Sequence, residues 1–261
     1  MKISDIILHL ETIAPGYYQE DYDNSGLIAG DISAECTGVL VSLDCTEEIV
    51  KEASGKKYNL IVSHHPLIFR PIRHIDPSDE TGRTLIAAIK SGIAIYAIHT
   101  NLDNIMTGVN ATMADRLGLT EREILSPKAG QSSVGSGLIG NLRKAVPERQ
   151  LLRDLQIEFN VPVIRHSPLT GKPVSRVALC GGSGSFLISS ALQRGAGFFV
   201  SADIKYHAFF EGEKEMVIAD IGHYESEQYT IELLCQVILE KYPNFAVLKS
   251  GIVTNPVNYY I

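Results

Sequence analysis

Short apolar runs alternate with amphipathic segments along the first hundred residues of this chain. GVLVSLD (38–44) is apolar almost throughout, which indicates a buried strand, and NLIVSHHP and IAIYAIHTNLD predict two further strands. The segments between them, EEIVKEAS and TLIAAIKSG, have helical spacing and end at glycine. Strand and helix in this order predict parallel strand pairing and an α/β fold.

A second series of strands and helices follows residue 140. RVALCGGSGSF, GFFVSADIKYH and MVIADIGHYESE each begin with an apolar run, and a long helix is expected to start within GHYESE. Between the two series, residues 126–140 are rich in Gly and Ser, which predicts a loop or a domain connection. We therefore expect two α/β domains, one formed by residues 1–125 with 226–261 and the other by residues 126–225.

Polar clusters follow the apolar strands directly. His64 and His65 end the second strand, Asp103 follows the third, and His223 and Glu227 follow the strand MVIAD. Right-handed crossovers place the carboxyl ends of parallel strands at one edge of a sheet, where binding groups gather. Three imidazoles and two carboxylates exceed what one tetrahedral zinc needs, and they suit two divalent ions about 3.5–4 Å apart. These donors fit zinc, iron, manganese or cobalt better than calcium.

Each member of this set also has a purely structural interpretation. The pair His64 and His65 suits an exposed surface loop before a proline. Asp103 suits a cap on the helix that is expected to begin near Val109. The acidic residues of 223–227 suit the first turn of a helix, where they favour the helix dipole. The metal-binding hypothesis therefore depends on the combination rather than on any single motif.

Four further side chains are candidates for catalysis: His99, Lys205, Tyr206 and His207. His99 suits a metal ligand or an outer partner of one. Lys205 would bind an anionic substrate, and His207 would carry protons. The structural alternative for 205–207 is a solvated strand end with a packing tyrosine.

Two other features allow two interpretations each. Asp44 suits either a hydrogen bond to a metal-bound histidine or a helix cap. CGGSGSF (180–186) suits either phosphate binding by backbone amides before a helix or a tight turn made by glycine. The segment matches neither GxxxxGK[ST] nor GxGxxG.

Charge and cysteine content limit the function classes. The net charge of −7 provides no basic surplus for nucleic-acid phosphates, so a dedicated DNA or RNA binder is not expected. No run approaches the roughly 18 apolar residues of a membrane span, and the N-terminus lacks the apolar core of a signal peptide. The four cysteines form no CxxC pair, which argues against a disulfide framework and favours the cytoplasm.

Six sequence blocks together resemble one known family. In chain order they are YDNSGLIAG, SLDCTEE, NLIVSHHPLIF, IYAIHTNLDN, SADIKYH and DIGHYESE. Over residues 22–227 the chain is similar to the NIF-three-like proteins, which are also called GTP cyclohydrolase I type 2 homologues. The resemblance implies two interlinked α/β domains with a dinuclear metal site in the cleft between them. It also implies a toroidal homohexamer, and the short passage at 126–140 resembles the compact form that lacks an inserted domain.

The resemblance also implies site residues and a reaction class. The family's ligands fall here on His64, His65, Asp103, His223 and Glu227, which would hold two divalent ions per chain. A dinuclear site favours metal-assisted hydrolysis, so the first hypothesis is a hydrolase that acts on a nucleotide or a related small molecule. The alternative is a non-catalytic metal-binding adaptor or metal-handling protein.

Overall fold

The computed structural model describes residues 1–260. The α-helices within these residues are Ile3–Ile13 (α1), Glu47–Gly55 (α2), Glu80–Lys90 (α3), Thr100–Asp103 (α4), Val109–Arg116 (α5), Glu148–Phe159 (α6), Ile188–Gln193 (α7), His223–Glu227 (α8) and Thr230–Lys241 (α9). Short 3₁₀ helices lie at Gly16–Tyr18, Ser185–Leu187 and Tyr206–Phe210.

The strands fall into two sheets. They are Gly26–Ala29 (β1), Val39–Ser42 (β2), Leu60–Ser63 (β3), Ala94–Ala97 (β4), Thr120–Lys128 (β5), Gln131–Pro147 (β6), Arg165–His166 (β7), Pro173–Ser183 (β8), Phe198–Ala202 (β9), Val217–Asp220 (β10) and Val247–Lys249 (β11). The predicted α/β class is confirmed.

The chain forms two compact units. Unit 1 comprises Met1–Leu102 and Thr230–Pro256, and unit 2 comprises Asp103–Tyr229 with residues 257–260. The chain enters unit 2 at residue 103. The physical reason is that α5 and β5 bury apolar side chains, among them Met113 and Ile124, in the core of unit 2.

The sheet of unit 1 has the strand order β1-β4-β3-β2-β11 among the described residues. Strands β2, β3, β4 and β11 are parallel, and β1 runs antiparallel to β4. Leu40, Ile61 and Ile95 stand in line across three strands and pack with apolar residues of α2 and α3. Every residue of β2, β3 and β4 is buried, as expected of parallel strands that are covered on both faces.

The sheet of unit 2 has the order β5-β6-β8-β9-β10-β7 within residues 1–260. Strands β8, β9 and β10 are parallel, and the remaining neighbours pair antiparallel. Neighbouring residues of these strands bury into two separate cores, because side chains of a strand alternate between its faces. Phe198 and Val200 belong to one core, and Phe199 belongs to the other.

The predicted loop at 126–140 is wrong. These residues lie in the antiparallel hairpin of β5 and β6, which turns at Gly130. The glycines serve close backbone packing rather than flexibility: a Cβ at Gly135, whose φ is 152°, would overlap the carbonyl oxygen of Ser126 on the partner strand. The buried pair Leu138 and Ile139 sits on opposite faces of the sheet.

The predicted long helix after residue 222 is also wrong, because α8 ends at Glu227 and α9 begins at Thr230. Tertiary contacts within unit 2 hold the intervening residues. The Gln228 side chain donates to the carbonyl of Phe159 at 3.1 Å, and the Tyr229 hydroxyl donates to the carbonyl of Glu158 at 3.1 Å. The guanidinium of Arg116 lies 3.5 Å from the centre of the Tyr229 ring.

Within residues 1–260, no helix has both the length and the apolar character needed to cross a membrane.

Candidate metal centre

Histidines gather at the carboxyl ends of the parallel strands of unit 1. Strand β3 ends at Ser63, so the next two residues, His64 and His65, are released from the strict alternation of strand side chains. Their ring centroids lie 5.0 Å apart, and the ring of His99, which follows β4, lies 5.3 and 5.4 Å from them. One ring nitrogen from each histidine falls within 4.8 Å of the others. This group has the donors and the spacing to hold a metal ion.

A shared hydrogen-bond pattern orients these three rings. In each, Nδ1 faces an oxygen that only accepts, so Nδ1 carries the hydrogen and the neutral ring keeps its lone pair on Nε2. The Nδ1 partners are Ile98 O for His64 at 2.9 Å, Asp44 Oδ1 for His65 at 2.8 Å, and Asp23 Oδ1 for His99 at 2.7 Å. Histidines that ligate metals show this arrangement, because the outer partner fixes the tautomer and strengthens the ligand nitrogen.

The structure decides between the two interpretations of Asp44. Helix α2 is capped by Thr46, whose hydroxyl accepts from the amide of Ile49. Asp44 instead accepts from His65 with one oxygen and from the hydroxyl of Thr254 with the other, at 2.5 Å. Asp44 is therefore an outer partner of a candidate ligand and not a cap.

Asp23 is a residue that the sequence-based site prediction missed. Its side chain is fully buried, and besides His99 it accepts from the hydroxyl of Ser25 at 2.9 Å and from both the amide and the hydroxyl of Thr100. Burial raises the pKa of Asp23, but these hydrogen bonds, above all the one from His99, outweigh it and hold the pKa well below its usual range. A permanently charged carboxylate thus orients His99.

Asp103, in unit 2, does not cap the following helix. The N-cap of α5 is Gly108, which provides no capping side chain. The main-chain carbonyl of Asp103 accepts from the Asn110 amide at 3.0 Å, and Asn110 Oδ1 accepts from the amide of Gly181 at 2.9 Å. Asn110 thereby links the main chain of Asp103 to β8.

His223 and Glu227 meet on one face of α8, as predicted from their spacing. His223 Nε2 lies 3.1 Å from Glu227 Oε2, and Glu227 is only 3% exposed. His223 Nδ1 donates to Asp203 at 2.7 Å, which repeats the pattern seen in unit 1. Burial lowers the pKa of His223, but the charges and hydrogen bonds of Glu227 and Asp203 raise it to about 11.

Asp203 is the second residue that the sequence analysis missed. It has a φ of 54°, in the left-handed region that non-glycine residues rarely adopt. In this conformation one carboxylate oxygen accepts from both His223 and the hydroxyl of Ser183. The hydrogen bond from His223 is the main cause that lowers the pKa of Asp203. Backbone strain of this kind is typical of functional sites.

The glycine segment at 180–186 makes room for the carboxylate of Glu227. Gly182 has a φ of 59°, and a Cβ there would overlap Glu227 Oε1. The amide of Gly182 donates to the hydroxyl of Ser226, and the amide of Gly184 donates to that of Ser201, both at 2.9 Å. Two of the amides required for phosphate binding are therefore already used.

Cys180 lies near the candidate carboxylates Asp103 and Glu227 of unit 2. Burial raises the pKa of its thiol, and the charges of Asp103 and Glu227 raise it further. The thiol therefore stays protonated, and the ligand chemistry of this region is that of imidazole and carboxylate.

The candidates Lys205, Tyr206 and His207 are exposed on or beside the 3₁₀ helix that follows β9. Within residues 1–260 no hydrogen bond fixes any of these three side chains. Tyr206 lines an apolar cavity of about 630 Å³ together with Phe209 and Phe210. Neither His223 nor Glu227 belongs to the lining of that cavity.

Comparison with known proteins agrees with the resemblance. Residues 1–256 match the family model described as Duf34/NIF3 (NGG1p interacting factor 3). A GTP cyclohydrolase 1 type 2 homolog of Clostridium perfringens is 35% identical over 87% of each chain, and one of Streptococcus pneumoniae is 32% identical over 99% of this chain and 100% of its own.

Solved structures of relatives have the same fold. Staphylococcus aureus hypothetical protein SA1388 has a TM-score of 0.90 at 30% identity. The alignment covers 100% of this chain and 99% of that protein. A Bacillus cereus protein related to NIF3 has a TM-score of 0.92 at 23% identity, and the alignment covers 100% of this chain and 99% of that protein. At this identity the likeness supports the fold alone. From the match along its length and these relatives, the chain belongs to the Duf34/NIF3 family.

Proposed function

We propose that this protein holds two divalent metal ions, with His64, His65, Asp103, His223 and Glu227 as ligands. One observation carries the proposal: each of the three histidines has Nδ1 held by a carbonyl or carboxylate oxygen. Histidines that ligate metals show this pattern, because the partner oxygen orients the ring. Imidazole and carboxylate donors without thiolate suit zinc, iron or manganese.

The donors of unit 2 also fit a cation. His223 Nε2 and Glu227 Oε2 face each other at 3.1 Å, and a proton on the imidazole compensates the buried carboxylate. A divalent ion would take the place of that proton, because it satisfies both donors at once. The main chain packs closely against this pair, since a Cβ at Gly182 would overlap Oε1 of the buried Glu227.

We further propose that the protein is a metal-dependent hydrolase of a nucleotide or a related small molecule. Support comes from the relatives, which carry the name GTP cyclohydrolase 1 type 2 homolog. Bound divalent ions supply Lewis acidity and lower the pKa of water. The chain itself supplies His99, which has Nδ1 donating to Asp23 and therefore presents Nε2 as a proton acceptor. His99 is the general base of this proposal, and the buried Asp23 carboxylate orients it.

The second candidate function is a metal-binding adaptor or metal-handling protein without turnover. The observation that favours it is the exposure of Lys205, Tyr206 and His207. Side chains that bind substrate are normally held in position by their surroundings, and within residues 1–260 no hydrogen bond fixes these three.

Elemental analysis of tag-free protein tests the metal proposal. We expect about two ions per chain in the wild type and their loss in the double variant His64→Ala with Glu227→Ala. His74→Ala, which removes an exposed histidine outside the proposed ligand set, is the matched control and should keep both ions. Absence of stoichiometric metal after reloading the wild type would contradict the proposal.

A turnover screen of the metal-loaded protein with GTP, other nucleotides and phosphoesters separates the two candidate functions. Turnover that disappears in Glu227→Ala supports the hydrolase. Stoichiometric metal without turnover of any compound supports the adaptor.

We also propose that the protein is a cytoplasmic toroidal homohexamer. The assembly rests on the family resemblance, and the compartment is supported by the free state of all four cysteines. Size-exclusion chromatography with light scattering tests the assembly, and a mass other than six chains would contradict it.

A further inference from the structure

The end of the chain returns to unit 2. The preceding segment, Thr230–Pro256, belongs to unit 1, but residues 257–260 pack with unit 2. Tyr259 is 38% exposed, whereas its neighbour Tyr260 is fully exposed. Tyr259 is therefore partly covered by its surroundings, whereas Tyr260 is not.

The hydroxyl of Tyr259 reaches the turn that precedes α8. It donates a hydrogen bond to the carboxylate of Glu225, which is 5% exposed. A Cβ built on Gly222 would lie 3.1 Å from Tyr259 Oη and would overlap Glu225 Oε2. The carboxylate and the hydroxyl thus both pack directly on the N-cap of the helix that carries His223 and Glu227.

Asp220 also holds this turn. One oxygen of Asp220 accepts from the amide of Gly222 at 3.0 Å, and the other accepts from the amide of Ile204 and from Arg165. Gly222, with a φ of 90°, is therefore held by Asp220 and contacted by the Glu225–Tyr259 pair.

Helix α8 depends on such contacts because it spans only five residues, His223–Glu227. A helix this short is not stable on its own, since nucleation costs more than so few hydrogen bonds return. The direction of the helix, and with it the relative position of His223 and Glu227, must come from tertiary contacts at its ends.

We propose that Tyr259 is a positioning residue for the metal centre: its hydroxyl holds Glu225 against Gly222 and so fixes the start of α8, which presents His223 and Glu227. This inference rests on the proposed function, since it assigns a role in metal binding. Burial raises the pKa of Tyr259, and the charge of Glu225 raises it further, so the phenol keeps the hydrogen that it donates.

The test compares Tyr259→Phe with Tyr260→Phe in the full-length protein. Both variants remove one hydroxyl from the same terminal segment, but only the first removes the bond to Glu225. The readouts are Co²⁺ affinity by titration and the visible spectrum of the Co²⁺-loaded protein, which reports ligand geometry. We expect Tyr259→Phe to weaken Co²⁺ binding by roughly 10-fold and to alter the spectrum, because outer contacts of ligands have effects of this size. Tyr260→Phe should match the wild type in both.

A double-mutant cycle shows whether Tyr259 acts through Glu225. If it does, adding Tyr259→Phe to Glu225→Ala produces little further loss of Co²⁺ affinity. A full additional loss in the double variant would overturn the proposed route. Circular dichroism of each variant establishes that it is folded before binding is compared.

The outcomes distinguish this inference from the proposed function. Normal Co²⁺ affinity and spectrum in Tyr259→Phe, with normal binding by the wild type, overturn the positioning role alone. Failure of the wild type to bind Co²⁺ overturns the proposed function, and the positioning role with it.

Discussion

His65 Nδ1 lies 2.8 Å from Asp44 Oδ1. This contact links the segment that follows β3 to the segment that follows the parallel neighbour β2. The two side chains meet because β2 and β3 are parallel and end level with each other, at the paired residues Ser42 and Ser63. The contact fixes the tautomer of His65 and increases the basicity of its Nε2, as the proposed role in metal binding requires.

Replacement of Asp44 by Asn tests this contact. We expect Asp44→Asn to weaken Zn²⁺ binding by roughly 10–100-fold, because the negative charge behind His65 is lost. Thr254→Val removes the other hydrogen bond to Asp44 and leaves the bond to His65 intact, so it should have a much smaller effect. Isothermal titration with Zn²⁺ measures both, and equal affinities in all three proteins would contradict the assigned role of Asp44.

His99→Gln tests the proposed general base. We expect the variant to keep its metal content and to lose turnover by about 10²–10⁴-fold on any substrate that the screen identifies. His74→Gln serves as the control, because His74 is exposed and should affect neither quantity. Loss of metal in His99→Gln would instead make His99 a ligand, consistent with its position 5.3 Å from the ring of His64.

Gly182→Ala tests the close approach of Glu227 to β8. Its matched control is Gly171→Ala, because both glycines have a left-handed φ but only Gly182 has a side chain in the way of a Cβ. We expect both variants to lose about 1–2 kcal/mol of unfolding free energy from backbone strain. Only Gly182→Ala should also reduce metal content, since its methyl group displaces the Glu227 carboxylate. Urea unfolding and elemental analysis measure the two effects, and full metal content in Gly182→Ala would rule out this steric role.

The buried Asp23 predicts a pH dependence of stability in the metal-free protein. Because the folded-state pKa of Asp23 is depressed, its ionised form stabilises the fold above the unfolded pKa of about 3.9, and this contribution is lost as the pH falls. We expect Asp23→Asn to lower the free energy of unfolding by about 2–3 kcal/mol at pH 7, with a smaller difference at pH 3.

Asp21→Asn is the control for this measurement, since Asp21 is exposed and should change stability little at either pH. Urea titrations at both pH values supply the comparison. A difference between wild type and Asp23→Asn that stays constant from pH 7 to pH 3 would show that the charge of Asp23 is not the source of the stability.

Local pattern was sufficient to predict strands β2, β3 and β4 of unit 1 and the candidate ligands that follow β3. Val39–Ser42 and Leu60–Ser63 are continuous apolar runs, and such runs form buried parallel strands whichever neighbours they have. His64 and His65 follow one of these runs, so their place at the carboxyl edge of the sheet follows from chain direction alone. The i, i+4 spacing of His223 and Glu227 likewise predicted that they share a helix face.

The sequence alone determined the α/β class, the edge of each sheet where polar residues gather and the types of donor found there, because these depend on period and chain direction. Only the tertiary structure decided which residues hydrogen-bond to the candidate site histidines. Asp23 and Asp203 accept from His99 and His223, from 76 and 20 positions away in the sequence. It also decided that 126–140 pairs as a hairpin and that the helix after Gly222 stops at Glu227. Hydrogen bonds and close backbone packing between distant segments produce these features, and no local pattern records them.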